Sequence, residues 1–173
     1  MSTPGLESVM TMLRTVLVLA ILLSSLMAGV LFAFAVVVMP GLRSLDDGAF
    51  IRSFQVIDRV IQKGQPLFFL VWVGSLLTLI AAAIIGLWQL GRVDQALVVV
   101  AVIVAVLGVH APTIRINVPM NNQLQRLDTS TMNPGTLQRA RLDFEGRWNR
   151  WNVFRTVCAT LVLVLLSVLL LRL

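Results

Sequence analysis

The sequence has one cysteine, Cys158, and one histidine, His110, among its 173 residues. A single cysteine excludes an intrachain disulfide and a paired-cysteine redox mechanism within one chain. A single histidine argues against bis-histidine haem and against the di-iron pattern of helix bundles, which needs a Glu-x-x-His motif on each of two helices. The sequence therefore predicts no metal and no other cofactor.

Charged residues are also scarce. They make up 13% of the chain, whereas hydrophobic residues make up 58%. Ordinary soluble domains contain about 25% charged and about 45–50% apolar residues. Because a soluble fold of this size could not bury so much apolar surface, we expect one integral membrane domain over residues 1–173, with the lipid bilayer as its main partner.

Positive charge outweighs negative charge, and the net charge is +6. All the basic residues except Lys63 are arginines, spread mainly through two loops without a basic helix or stacking aromatic residues. This distribution is typical of membrane topology and not of nucleic-acid binding. We therefore expect no nucleic-acid partner.

Four apolar stretches predict four membrane spans, at about residues 15–39, 67–90, 95–114 and 153–171. Ala33-Phe34-Ala35 resembles a signal-peptide cleavage site, but the apolar segment before it is longer than usual and continues past it. We therefore predict a retained first span. Arg155 lies one turn inside the fourth span, where it either snorkels to the interface or faces the bundle interior.

Small residues recur every four positions in two of the spans. Such stripes let helix backbones approach closely in lipid, where no hydrophobic effect drives association. The pattern predicts an all-α bundle of four transmembrane helices. The stripe of the second span is Gly74, Thr78, Ala82 and Gly86, and that of the first is Ser25, Gly29 and Ala33.

Two polar loops connect these spans. The first contains an apolar stripe at positions i, i+4, i+7 and i+11, which predicts an amphipathic helix lying in the membrane interface. A lid over a site is the alternative. The third loop, residues 117–152, is long and polar, and it can be helical from Thr136 onward. The stripe is Phe50, Phe54, Ile57 and Ile61, and Arg52, Gln55, Arg59 and Lys63 lie off it.

The positive charge predicts an orientation. The first and third loops carry nine basic residues, whereas the other side has only Arg14, Arg92 and Arg172. By the positive-inside rule, the two loops are cytoplasmic and both termini lie outside. We expect the bacterial inner membrane as the location.

Polar residues cluster at the predicted cytoplasmic ends of the third and fourth spans. His110 lies about a turn inside the hydrocarbon and is either functional or a neutral imidazole bonded to a neighbouring helix. Helical spacing places it on one face with Asn117 and Asn121, although prolines bend or break the helix there. We predict one pocket lined by His110, Asn121, Asn152 and Arg155.

The order of three motifs resembles the anthrone oxygenase-like family of small four-span membrane proteins. They are Phe32-Ala33-Phe34 through Val38-Met39-Pro40-Gly41, Asn117-Val118-Pro119-Met120-Asn121-Asn122, and Trp148-Asn149-Arg150-Trp151-Asn152-x-x-Arg155. The resemblance implies a four-span fold. It also implies oxidation of an anthrone or another hydrophobic aromatic compound with O₂, although most bacterial members have no assigned substrate.

The residues are compatible with such chemistry, because the carbanion of an anthrone can react with O₂ without a metal. His110 would be the base and Arg155 the second catalytic residue. Whether the chain is an enzyme stays open: the alternative is a non-catalytic accessory subunit or small-molecule carrier, of unknown oligomeric state. The predicted substrate-binding residues are Arg115, Asn117, Asn121, Asn122, Trp148, Trp151 and Asn152.

Overall fold

The computed structural model describes residues 4–173, which form helices and no strand. Four long helices carry most of the described chain, and π-helical segments interrupt the first and the third of them. The α-helices are α1 (Pro4–Ala33), α2 (Met39–Arg43), α3 (Asp47–Gln62), α4 (Pro66–Gln89), α5 (Arg92–Val104), α6 (Val118–Gln125) and α7 (Pro134–Arg172). The π-helical segments are Phe34–Val38, Ala105–His110 and Thr113–Asn117.

Four continuous helices are long and apolar enough to cross a membrane. They form a ring in which α1 packs against α4 and α7, and α5 packs against the same two helices. The predicted all-α, four-helix integral membrane protein is thereby confirmed. The four helices are Glu7–Arg43, Pro66–Gln89, Arg92–Gln125 and Pro134–Arg172.

The third of these helices, Arg92–Gln125, continues through a segment with two prolines. Proline has no backbone N–H and clashes with the carbonyl four residues earlier. Around Pro112 the chain takes π-helical turns and stays helical, and Pro119 sits in the first turn of α6. The opening of the third loop, where we expected a helix only from Thr136 onward, is therefore helical as far as Gln125.

The fourth helix begins well before the apolar stretch of the fourth span. The side chain of Asn133 caps its first turn by accepting a hydrogen bond of 2.9 Å from the backbone N–H of Thr136. The helix then runs from Pro134 to Arg172 without interruption. The helix expected from Thr136 onward in the third loop is confirmed, and it continues directly into the fourth span.

The predicted small-residue stripe of the second span packs against protein. Ala82 is fully buried and Gly86 is buried. A Cβ at Gly74 would lie 3.0 Å from Leu23 of α1, so this glycine permits a close approach of the two helices.

The corresponding prediction for the first span is wrong. Ser25 and Gly29 are exposed, and a Cβ at Gly29 would meet nothing within 4 Å. The buried face of α1 is the neighbouring one, which carries Ser24, Met27 and Leu31. The larger side chains of that face fill the bundle interior, and small residues at four-residue spacing do not by themselves identify the packed face.

Helix α3 is amphipathic, as predicted, but its apolar face contacts protein. Phe50 and Phe54 are at most 1% exposed, and the ring of Phe54 lies 4.7 Å from Phe144 and 5.4 Å from Trp148 of α7. We expected Gln55 to lie off the apolar face, but it is buried. Its side-chain amide donates to the backbone carbonyls of Leu124 and Leu127, at the end of α6 and just after it. Helix α3 therefore covers one end of the bundle, hereafter the polar end.

Candidate functional site

A cavity of about 150 Å³ lies at the polar end, between α1, α3, α4, α7 and the third long helix. Its wall combines aromatic rings with polar side chains. The aromatic residues are Phe34, Phe54, Phe68, Phe69, Trp72 and Trp148. The polar residues are Asp58, Gln62, Thr113, Asn117, Asn121, Asn152 and Arg155.

Arg155 forms the innermost polar part of the wall, and only 5% of it is exposed. Its Nη1 donates to Thr113 Oγ1 over 2.9 Å, and its Nη2 donates to Asn152 Oδ1 over 3.1 Å. Both acceptors are neutral. No carboxylate pairs with Arg155 in the part of the chain that the structure describes, and its Nε has no partner there. A buried positive charge without a counter-charge is unfavourable unless an anion joins it.

A close helix approach brings Arg155 to its partners. A Cβ at Gly108 would lie 2.6 Å from Cys158 Sγ, a distance that real contacts do not reach. Glycine at this position therefore lets α7 lie against the third long helix, one turn from Arg155. Asn152 fixes the same region to the first span, since its Nδ2 donates to the Leu31 carbonyl over 2.9 Å.

Asn117 occupies the middle of the wall and is 1% exposed. Neither its Oδ1 nor its Nδ2 has a hydrogen-bond partner within residues 4–173, and the same holds for Nε1 of Trp72. Buried polar groups left unpaired cost about 1–3 kcal/mol each. Asn117 and Trp72 both line the cavity, so its wall includes donors and an acceptor that no described residue satisfies.

Asp58 of α3 forms the outer part of the wall and is 5% exposed. Its Oδ1 accepts from Asn121 Nδ2 over 2.8 Å, and its Oδ2 accepts from Gln62 over 2.6 Å and from Gln125 over 3.0 Å. The Oδ1 of Asn121 in turn accepts from Trp148 Nε1 over 2.8 Å. Burial raises the pKa of Asp58, and the three amide donors partly offset the increase.

Sequence reasoning missed Asp58, although the signal was present. Asp58 lies four residues after Phe54 and eight after Phe50, on the apolar stripe of the amphipathic helix. A carboxylate on the apolar face of such a helix is an exception to the pattern and a candidate functional residue. Trp72 and the phenylalanines of the wall were missed as well, since apolar spans contain such residues for many other reasons.

His110 lies outside the cavity that contains Arg155. It is buried beside a smaller cavity of about 20 Å³, and its ring centroid is 5.8 Å from that of Trp72, which lines the larger one. The π-helical segment Thr113–Asn117 lies between His110 and Asn121. Because a π turn contains an extra residue, it rotates His110 away from the face that Asn117 and Asn121 share.

The structure thus brings together only part of the predicted site. Asn121, Asn152 and Arg155 line one cavity as expected, whereas His110 does not. Of the other predicted residues, two line the cavity and three do not. Asn117 and Trp148 are in its wall, Arg115 and Asn122 are exposed, and Trp151 packs edge-on against Phe154.

The fold and the site define a class: an integral membrane protein with a four-helix bundle, an aromatic-walled cavity at one end, and in its wall a buried cation that no described carboxylate pairs with. The chain belongs to the anthrone oxygenase family, which it matches over residues 59–165. This confirms the resemblance that the sequence motifs indicated. No curated protein and no solved structure matches the chain.

Proposed function

We propose that the protein is a membrane-embedded oxygenase that oxidises an anthrone-like or other hydrophobic aromatic substrate with O₂. The observation that supports this most strongly is Arg155, a buried cation that faces an aromatic-walled cavity and bonds only neutral groups among the described residues. Family membership is the second line of support.

The chemistry uses a negative oxygen at that position. An anthrone has an acidic methylene group opposite the carbonyl of its central ring. Loss of a methylene proton yields an enolate, whose negative oxygen Arg155 and the amide nitrogen of Asn117 would bind. Donors that are already in place when this charge develops lower the barrier, because they need no reorganisation.

The wall suits a flat, apolar molecule. Aromatic rings favour edge-to-face and offset packing against another ring. An apolar cavity of about 150 Å³ binds benzene in an engineered protein, so this cavity can hold one ring as it stands. Phe69 and Val118 at its edge are 40% and 42% exposed, and a larger substrate would extend between them towards lipid.

The overall reaction is balanced with O₂ as the oxidant. The carbanion carbon forms a bond to one oxygen atom, and the resulting hydroperoxide loses water as its O–O bond breaks and the second methylene hydrogen leaves. One anthrone and one O₂ therefore give one anthraquinone and one water.

The test is the oxidation of anthrone by the protein in detergent, followed through O₂ uptake and anthraquinone absorbance. We expect Arg155→Met to lower kcat/KM by about 100-fold or more, the effect of removing an oxyanion donor. The matched control is Arg150→Met, an exposed arginine on the same helix, which should behave like wild type. An undiminished rate in Arg155→Met would contradict the proposal.

A carrier would give a different result. It would bind the aromatic compound, detected as quenching of tryptophan fluorescence, and leave O₂ unconsumed. In a carrier, Arg155→Met would weaken binding of the aromatic compound, and neither variant nor wild type would oxidise it.

We also propose that the protein lies in a bacterial inner membrane with its first and third loops in the cytoplasm. The support is the excess of basic residues in these loops. In a Cys158→Ala background, an impermeant thiol reagent applied to intact cells should label Arg92→Cys and not Ser130→Cys, two exposed positions at opposite ends of the bundle. The reverse labelling would contradict this orientation.

A further inference from the structure

Asp58 is the only carboxylate among the described residues that line the cavity. The proposed function assigns it no role, yet that reaction needs a group to accept the methylene proton. His110 lies behind Trp72, beside the smaller cavity. A general base must come within hydrogen-bonding reach of the proton it removes, and Asp58 is placed to do so.

Asp58 and Arg155 contact the third long helix at two positions that lie apart along its axis. Thr113 contacts Arg155 at the inner end, and Asn121 contacts Asp58 at the outer end. Eight residues of helix correspond to about 12 Å. Trp148 lies between the two charges, because its Nε1 donates to Asn121 and its ring faces the Arg155 guanidinium at 5.8 Å.

We propose that Asp58 is the catalytic base, which removes the methylene proton while Arg155 binds the oxygen at the opposite edge of the substrate. This inference rests on the proposed function. The carbonyl and the methylene of an anthrone stand on opposite sides of the central ring, so the two catalytic groups must also stand at opposite ends of the molecule. Asp58 and Arg155 do so.

The hydrogen bonds of Asp58 leave room for this role. A carboxylate offers about four acceptor positions. Oδ2 accepts two hydrogen bonds and Oδ1 accepts one from the described residues. One position on Oδ1 is therefore available to a substrate proton. The amides of Gln62 and Asn121 hold the carboxylate in place, and its burial favours proton uptake.

The proton balance is complete. The C–H bond breaks, its electron pair stays on the substrate as the enolate, and the proton moves to Asp58 Oδ1. After O₂ has added to the carbon, Asp58 returns the proton to the peroxide oxygen and the carboxylate is restored.

The test isolates this step by removing O₂. Under anaerobic conditions in D₂O, a base exchanges the methylene hydrogens of anthrone for deuterium without oxidation, and mass spectrometry measures the rate above the protein-free background. We expect Asp58→Asn to lower the exchange rate by about 100-fold or more. The control, Asp143→Asn, alters an exposed carboxylate on α7 and should leave the rate unchanged.

Two further arms distinguish a base from a structural group. Asp58→Glu keeps the carboxylate and should retain part of the exchange, with anthrone binding close to wild type. If Asp58→Asn fails to fold, a hydrophobic carbodiimide is used on wild type instead: modification at Asp58 should stop exchange, and full exchange in the modified protein would overturn the inference.

Exchange at the wild-type rate in folded Asp58→Asn would overturn it too, as would loss of exchange in His110→Gln alone, which would make His110 the base. Wild-type protein that neither binds anthrone nor exchanges it contradicts the proposed function itself. Exchange that is present in wild type and undiminished in Asp58→Asn contradicts only the role of Asp58.

Discussion

The two ends of the bundle are built from the same four helices, but their interiors differ. Around the tight turn after Gln89 the interior is filled by small and aliphatic side chains from all four spans, several with no exposed surface. At the polar end, aromatic rings and amides surround an open cavity. The first end is a packed core, and the second surrounds the candidate site. Residues of the filled end include Leu13, Leu17, Leu79, Val98 and Leu166.

The difference shows where stability comes from in this protein. Helices in lipid associate through close packing and hydrogen bonds, since the lipid tails are as apolar as the helices. The filled end supplies close packing. The polar end gives up part of it, leaves Asn117 and Arg155 incompletely paired, and maintains a cavity. Proteins break packing and hydrogen-bonding rules in this way mainly at functional sites.

Backbone geometry follows the same division. Of the three π-helical segments of the described chain, Phe34–Val38 and Thr113–Asn117 contribute residues to the cavity wall, and Ala105–His110 lines the smaller cavity beside it. Such segments are frequent at functional sites, since the extra residue in a turn reorients side chains and frees backbone groups.

The largest effect on stability should come from Asn152→Leu at the polar end. The substitution removes the hydrogen bonds to the Leu31 carbonyl and from Arg155, and both partners stay buried. Each buried group left unpaired costs about 1–3 kcal/mol. Thermal unfolding in detergent should show a clear decrease in Tm.

Asn117→Leu is the matched contrast, with the same substitution and the same 1% exposure at the same end. Because the Asn117 amide has no partner within residues 4–173, an apolar side chain should raise Tm while lowering activity. Equal decreases in Tm for Asn117→Leu and Asn152→Leu would contradict this expectation, because they would mean that the Asn117 amide has a hydrogen-bond partner in the membrane.

A smaller effect is expected from Ala82→Leu at the filled end. Ala82 has no exposed surface, and adding bulk to a packed core costs about 1–3 kcal/mol. Ala96→Leu on α5, where the side chain is exposed, is the control. A Tm equal to that of wild type in Ala82→Leu would show that this end is loosely packed and that the two ends differ less than the structure indicates.

The site could be predicted from the sequence only where helix periodicity was regular. Trp148, Asn152 and Arg155 lie on an uninterrupted helix, so their common face followed from their spacing. The face shared by His110 and Asn121 did not, because a π-helical turn lies between them. Asp58 enters the site from a separate helix, and no periodicity along the spans could indicate that contact.

The sequence by itself determined that the protein lies in a lipid bilayer, that it has four spans, and which family it belongs to. These follow from composition, the length of apolar stretches and the order of motifs, all of which are local or additive properties of the chain. Only the tertiary structure decided that α3 packs on α7, that Asp58 and Arg155 line one cavity, and that His110 lies outside it. Those relations depend on helix rotation and on contacts between residues far apart in sequence, such as Asp58 with Asn121. One extra residue in a helical turn, as in a π-helical segment, is enough to rotate the side chains that follow and so to alter these contacts.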